Sequence, residues 1–405
     1  TTIGAIADTA ANLAQAGGAG LASLAGHLAA GGTITATTAA NATQGATLSS
    51  QATPVVYSVS DTAAAIAAAS FGTADAPVNI TATGTTTVAG ALAINAAGAT
   101  GSVTIGGVVD TAANIATHIS IAGTGFLSDV GSIHATGTAS VAELWLIAGA
   151  SNTGVKTVDA VTDTAAAIAN VTHGQFQLVS GAVTANTAAT AAQVSAFEGF
   201  GHVITFTQVT DTAANLQTVL SDLTGTTVIA TGAATAAQAT ALAAAGASSL
   251  SIAAVSDTAA NLASTSDSVL SDVTGAVTAT TTASAAQAVT LAGFTHAVTF
   301  GVSDTAANLL SQASTSYLGH AAAVTATGST TAVQAFALQG DVANGVTAQI
   351  ALISDTAADY NAELAAGLSL TGVSAINIIG AASVAQAQAI VAADAQALIP
   401  AISDT

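Results

Sequence analysis

Nine aspartates recur in one setting, a motif reading (S/T)-D-T-A-A-N-(L/I) with some variation: Asp8, Asp61, Asp110, Asp163, Asp211, Asp257, Asp304, Asp355 and Asp404, each followed by Thr. A carboxylate repeated at regular intervals can do one of two things. It can accept the orphan amide hydrogens of a helix start and meet the positive end of the helix dipole. Or it can line up with its equivalents as an oxygen column for calcium, which takes six to eight oxygen ligands. We expect the capping role. On that reading Asp211→Asn costs well under ~1 kcal/mol, because Asn caps comparably. The metal candidates are Asp61, Asp110, Asp163, Asp211, Asp257, Asp304 and Asp355. A second acidic set, Asp129, Asp222 and Asp272, sits in Leu-Ser-Asp-(Val/Leu), where Asp forms turns through its side chain.

The amides recur as well: Asn12, Asn114, Asn215, Asn261 and Asn308 in the Asp motif, and Gln193, Gln238, Gln287, Gln334 and Gln386 in a second motif, A-(T/S)-(A/V)-A-Q. These read as structural amides, hydrogen-bonded between neighbouring repeats. Pieces such as Thr35-Ala36-Thr37, Thr81-Ala82-Thr83, Thr278-Ala279-Thr280 and Thr325-Ala326-Thr327 put both Thr of a strand on one side. Ranks of such Thr are similar to the ice-binding face of some antifreeze solenoids. His134-Ala135-Thr136 and Thr184-Ala185-Asn186 interrupt the pattern. The seven His show no H-x-H or H-E-x-x-H spacing, although His202 and His296 recur at equivalent strand starts. No G-x-S-x-G context marks a nucleophile. Glu143, Glu198 and Glu363 are scattered, which gives a paired-carboxylate hydrolase no basis. We expect no enzyme activity and no cofactor, calcium being the one ion the residues suggest. Trp145, the single Trp, is expected to fill space inside a wider repeat.

Composition narrows the partners. The 405 residues carry one Lys and no Arg against 21 Asp and Glu, a formal charge of −20. A nucleic-acid binder needs cations to displace counterions, and so does a protein held on anionic lipid; Lys156 alone supplies neither. Without Cys there are no disulfides, zinc–thiolate sites or thiol chemistry. Thr, Ser, Gly and Asn interrupt every Ala–Val–Leu run, so no membrane-spanning stretch is expected.

Repetition then decides the architecture. From Asp8 to Asp404 there are eight periods averaging 49.5 residues. The A-(T/S)-(A/V)-A-Q motif falls midway, as at Ala189–Gln193 and Ala234–Gln238, and superposes on the Asp motif. The fundamental unit is therefore a half-period of about 25 residues. Each half opens on alternating Val, Ile and Thr, as in Val203-Ile204-Thr205-Phe206, which is strand grammar. An Asp-Thr or Ala-Thr follows, then an Ala-rich helical stretch and a Gly- or Ser-containing turn. The predicted fold is α/β: a repetitive solenoid of about 25-residue β–turn–α coils in pairs, with a parallel sheet on one side, over residues 1–405. A coil made of the whole period is the rival. It would stack the aspartates about 4.8 Å apart, where like charges repel.

This architecture resembles leucine-rich-repeat solenoids without their motif. The Ala–Thr–Gly–Asp-rich composition and degenerate repeats resemble large secreted bacterial surface proteins, the surface-layer proteins and repetitive adhesins, although the G-G-x-G-x-D calcium nonapeptide of that group is absent. The resemblance implies an extracellular or cell-surface structural protein, part of a surface layer, filament or adhesin stalk. The alternative from another class is a binding module, taking ice on its Thr ranks or a ligand on the sheet face. Neither end reads as a polar capping repeat. The sequence is therefore expected to be a window on a longer chain, or a subunit stacking head to tail.

Overall fold

The computed structural model describes residues 1–72, 75–123, 125–152 and 154–403. The ninth Asp–Thr pair, Asp404–Thr405, lies outside the described residues. Short strands and short helices alternate along the chain, and every strand pair among the described residues is parallel. Parallel neighbours need a crossover between them, and the helices supply it.

The chain forms two compact units, Thr1–Ala188 with Ser195–Thr207, and Ala189–Val194 with Gln208–Thr405. In the first, Ile6–Asp8, Ile34–Ala36 and Val55–Val56 form one sheet. A second sheet runs in chain order from Val59–Thr62 to Ile204–Phe206 over seven strands. The second unit holds sheets of five, four and two strands, again in chain order. Partner residues lie one half-period apart: Val209 pairs with Val228, 19 residues on, and Ile6 with Ile34, 28 on. The pairing step is therefore the shorter unit. Each motif aspartate faces an apolar residue on the following strand: Asp61 faces Ala82, Asp211 faces Ala230 and Asp355 faces Ile378. The carboxylates fall on alternate strands and do not stack.

The core is built from small aliphatic side chains. In the helix Ala236–Ala243 the buried residues are Ala236, Ala239 and Leu242, and in Ala332–Asp341 they are Ala332, Ala335 and Leu338. This spacing of three puts one narrow stripe against the sheet. Ala at the first and fourth positions lets the helix lie close, and the single Leu fills what remains. Trp145 departs from its expected place. Val141, Leu144 and Ile147 take the buried positions of the helix Val141–Ala148, and Trp145 is left 47 % exposed on the outer face. Helical periodicity is the reason: Trp145 follows Leu144 by about 100° of rotation and cannot share its face.

A second feature is the residue after T-A-T and its equivalents, His134-Ala135-Thr136, Thr184-Ala185-Asn186, Ile229-Ala230-Thr231 and Asn377-Ile378-Ile379. In one class of repeat it is glycine: Gly84, Gly137, Gly232, Gly328 and Gly380 all have φ between 72° and 78°. A register shift accompanies the turn at four of them, as between Ala230 and Ala233. In the other class it is threonine, Thr38, Thr187 or Thr281, whose Oγ1 accepts the N–H of the first residue in the preceding helix: Ala10 at 3.1 Å, Ala165 at 3.0 Å and Ala259 at 3.1 Å. The Gly class tests cleanly at Gly232, where an added Cβ would meet nothing within 4 Å and only the positive φ opposes a side chain. Gly232→Ala is expected to destabilise by about 1 kcal/mol through backbone strain alone, and Gly232→Asn by less. Chemical denaturation of the two variants checks the order.

Candidate functional site

The regular carboxylates form the most ordered polar arrangement in the molecule, and each stands where two helix starts meet. Helices leave their first four N–H groups without intrahelical partners. In the Asp repeats the residue that caps is the threonine after the aspartate. Thr212 Oγ1 accepts the N–H of Asn215 at 3.3 Å, and Thr9, Thr62, Thr111, Thr164, Thr258, Thr305 and Thr356 do the same for their own helices. The expected role of the aspartate as the cap is therefore corrected. It lies one residue outside: the strand runs on through the threonine, which stands directly before the first helical residue.

From there the carboxylate works in two directions. One oxygen, Oδ1, accepts the N–H of the capping threonine, at 2.8 Å from Thr212 to Asp211. It also accepts the amide of the motif Asn where one is present: Asn12, Asn114, Asn215, Asn261 and Asn308 donate to Asp8, Asp110, Asp211, Asp257 and Asp304 at 2.7–2.9 Å. The other oxygen, Oδ2, reaches back to the first N–H of the previous helix. The partners of Asp61, Asp110, Asp163, Asp211, Asp257, Asp304 and Asp355 are Ala42, Val88, Val141, Ala191, Ala236, Ala285 and Ala332, at 2.9–3.1 Å. Each of these seven carboxylates therefore ties two consecutive helix N-termini together.

The glutamines solve the complementary problem. Gln193, Gln238, Gln287, Gln334 and Gln386 each return a side-chain oxygen to the N–H of their own cap residue, at 2.9–3.1 Å, closing a capping box. Glu143 does the same at Ser140. The expected amide bonds between repeats are thus replaced by local ones: Asn turns to its own Asp, and Gln to its own cap. The carboxylate makes the bond between repeats.

The electrostatics follow from this bonding. The bonds from Ala42 and Thr62 hold Asp61 below the ordinary aspartate value of 3.8. At Asp110, Asp211, Asp257 and Asp304 partial burial pushes the carboxyl upward, and the hydrogen bonds outweigh it, so these too titrate below the ordinary value. Asp8 is lowered by Asn12 and Thr9. As calcium candidates, the seven carboxylates have both oxygens turned to N–H donors. Among the described residues no three His, Cys, Asp or Glu side chains gather where they could hold a metal.

The remaining candidates take structural positions. Asp129 and Asp272 engage through their backbone carbonyls, which accept the N–H of Ile105 and Ile252 at 2.8 and 2.9 Å; no side-chain turn bond appears at these residues. His202 and His296 each donate Nε2–H to a glycine carbonyl of the previous repeat, Gly181 at 2.8 Å and Gly275 at 2.9 Å. His134 pairs with Asp159 at 2.7 Å, and the second oxygen of Asp159 accepts the N–H of Gly137 at 3.0 Å. That pairing, His134's bond first, lowers Asp159. Lys156 Nζ donates to the carbonyls of Ala148 and Ala150, closing the end of the helix Val141–Ala148. Threonines align in register across the sheets: Ser60–Thr81–Thr104 and Thr162–Thr184–Thr205 in the first unit, Ser256–Thr278–Thr299 in the second. No helix among the described residues is long and apolar enough to cross a membrane. No protein family, no curated protein and no solved structure matches this chain.

Two outcomes are expected. Asp211→Asn keeps one acceptor but turns an amide N–H toward one of the donors the carboxylate had accepted, so it costs about 1–2 kcal/mol after solvent screening at this half-exposed site. Asp211→Ala costs at least as much, and urea unfolding of both variants checks this. Stability as a function of pH has a defined sign. Lowered carboxyls contribute fully above the unfolded value of 3.8, and the contribution is lost as pH falls through the folded values beneath it. The melting temperature is expected to hold from neutral pH to about 5 and then fall steeply below 4. It should not respond to EDTA at pH 7; a large chelator-induced drop would establish the calcium column instead.

Proposed function

We propose that this chain is an extracellular structural protein, a solenoid of paired β–turn–α coils that forms part of a surface layer, filament or adhesin stalk. The observation that carries the reading is the carboxylate tie recurring at seven successive places. The same bond joins each pair of repeats to the one before, so length is added without new chemistry, as in quasi-one-dimensional repeat proteins. What such a protein supplies is extent. Composition supports the setting: a net charge of −20 keeps the protein soluble. The one Lys is engaged at a helix end, which leaves a trypsin-like protease little to attack.

Copies associate head to tail in this reading. A repeat architecture adds length through one recurring joint, and a heterologous joint of that kind between copies that does not close gives fibres. Light scattering and electron microscopy of the purified protein over a hundredfold concentration range test this. Elongated particles that lengthen with concentration are expected; a compact particle of constant mass overturns the reading.

A further inference from the structure

Twelve of the fourteen asparagines hold their side-chain amide group in a hydrogen bond within the molecule, as Asn215 does with Asp211 and Asn95 with Phe126. The side chains of Asn186 and Asn344 make none among the described residues. Asn186 precedes the β-branched Thr187, and its own N–H is held by the Asp163 carbonyl at 2.9 Å. Asn344 precedes Gly345, the single Asn-Gly pair in the chain. Both residues lie exposed between the helix Ala332–Asp341 and the strand Ala348–Thr356. Val346 donates its N–H to the Ala343 carbonyl at 3.0 Å, and Gly345 takes a φ of 89°, as in a type II turn. The N–H of Gly345 has no acceptor among the described residues, and no heavy atom lies within 4 Å of where its Cβ would stand.

We infer that Asn344-Gly345 is a site of spontaneous covalent modification, deamidation through a cyclic imide with water as the one co-reactant. The nucleophile is the main-chain nitrogen of Gly345, which gives its proton to base. It attacks Cγ of Asn344, and the new C–N bond closes a five-membered ring. The bond from Cγ to Nδ2 breaks, and the side-chain nitrogen leaves as ammonia with the proton. Water then adds to one of the two ring carbonyls, and the C–N bond at that carbonyl breaks. Opening at Cγ leaves an aspartyl residue in a normal main chain. Opening at the main-chain carbonyl leaves an isoaspartyl residue, with the chain running through Cβ and Cγ. Nothing is oxidised or reduced. Three features select this pair: an electrophile that no hydrogen bond holds, a nucleophile that no acceptor holds, and no side chain on the glycine to crowd the nitrogen. Asparagine is thermolabile in general; the hydrogen bonds of the other amides restrain them, and this turn leaves one free. Either product adds a negative charge ahead of the strand that carries Asp355, whose Oδ2 reaches Ala332 at 2.9 Å. The chemistry belongs to this turn alone and does not depend on what the repeats build.

The test is ageing of the full chain at about 37 °C and pH 7, followed by pepsin digestion in acid and mass spectrometry. The peptide containing Ala343–Val346 is expected to gain one mass unit and to separate into two chromatographic forms, and the intact protein to acquire a more acidic form on anion exchange. Conversion should be faster in alkaline than in mildly acidic buffer, because the nitrogen must lose its proton. The peptide containing Asn186 should stay unchanged over the same interval. A synthetic peptide of residues 341–349 supplies the rate of the unrestrained pair, and the folded chain is expected within about tenfold of it. Asn344→Gln, which would have to close a larger ring, should slow the conversion by about tenfold or more. Gly345→Ala, whose methyl crowds the nitrogen, should slow it too; its positive φ strains the turn, so Asn344→Gln with native circular dichroism is the deciding variant. The inference is overturned if the folded chain gains no mass here while the synthetic peptide converts, if Asn186 converts as fast, or if Asn344→Gln converts at the wild-type rate.

Discussion

Everything regular in this molecule descends from the N–H groups that a short helix leaves unpaired at its start. A long helix dilutes that cost over many internal bonds. Here the helices run to a few turns at most, many of them eight residues or fewer, so the unpaired donors are a large share of every helix's polar groups. A parallel strand–helix repeat makes the problem recur at every crossover, and always at the same end of the strand. The chain answers with oxygen: threonine or serine at the cap, glutamine inside the first turn, and a carboxylate at the strand end. Each acceptor is placed where the helix dipole favours negative charge. The strong acidity is thus tied to the architecture. Seven of the acidic side chains have a bonded place at the junctions.

The two halves of the period divide this labour. In the Asp half, Asp211 Oδ1 satisfies the N–H of the cap Thr212 from the residue before it. In the other half, Gln238 Oε1 satisfies the N–H of the cap Thr235 from three residues after it. The glutamine spends its acceptor on its own cap and leaves the first helical N–H, that of Ala236, to Asp257 on the next strand. Divergence of the halves is therefore functional complementarity: one type reaches backward, and the other is shaped to be reached. The three Thr-class repeats add a second tie of the same kind, from Thr38, Thr187 and Thr281 to the helix before.

Much of this was legible before any coordinates. The period, the half-period, the strand-then-helix order and the parallel pairing follow from alternation of Val, Ile and Thr ahead of Ala-rich segments. The aspartates, asparagines and glutamines were all visible as regular positions. What the sequence hid was direction. Nothing in D-T-A-A-N says which of two adjacent side chains caps, because Asp and Thr both cap well. Position decides: Thr212, the last residue of the strand, stands directly before the first helical residue, Ala213, and Asp211 one place further out. Nor does a one-dimensional pattern reveal that Asp211 Oδ2 reaches a residue 20 positions earlier, Ala191. One further signal lies in the sequence: the choice of Gly or Thr after T-A-T or its equivalent tripeptide, which separates the two turn classes at a single position. Trp145 was misplaced for a different reason. Size suggested the interior, and a single step of helical rotation from Leu144 put it outside.

The backward reach also fixes the unit in which such a chain can grow. An Asp repeat reaches back to the helix of the other repeat type before it, as Asp257 Oδ2 does to Ala236. Placing two Asp repeats in succession would set one carboxylate next to another at the strand spacing of about 4.8 Å, with repulsion in place of a hydrogen bond. Placing two glutamine repeats in succession would leave a first-turn N–H with no carboxylate to receive it. Gain or loss of a single half-period carries one of these penalties, whereas gain or loss of a whole period carries neither. The observed spacings between motif aspartates, 46 to 53 residues with no instance near 25, have the form this constraint demands. Variation is confined to turns and helix lengths within a period, and the order of the two halves is kept throughout.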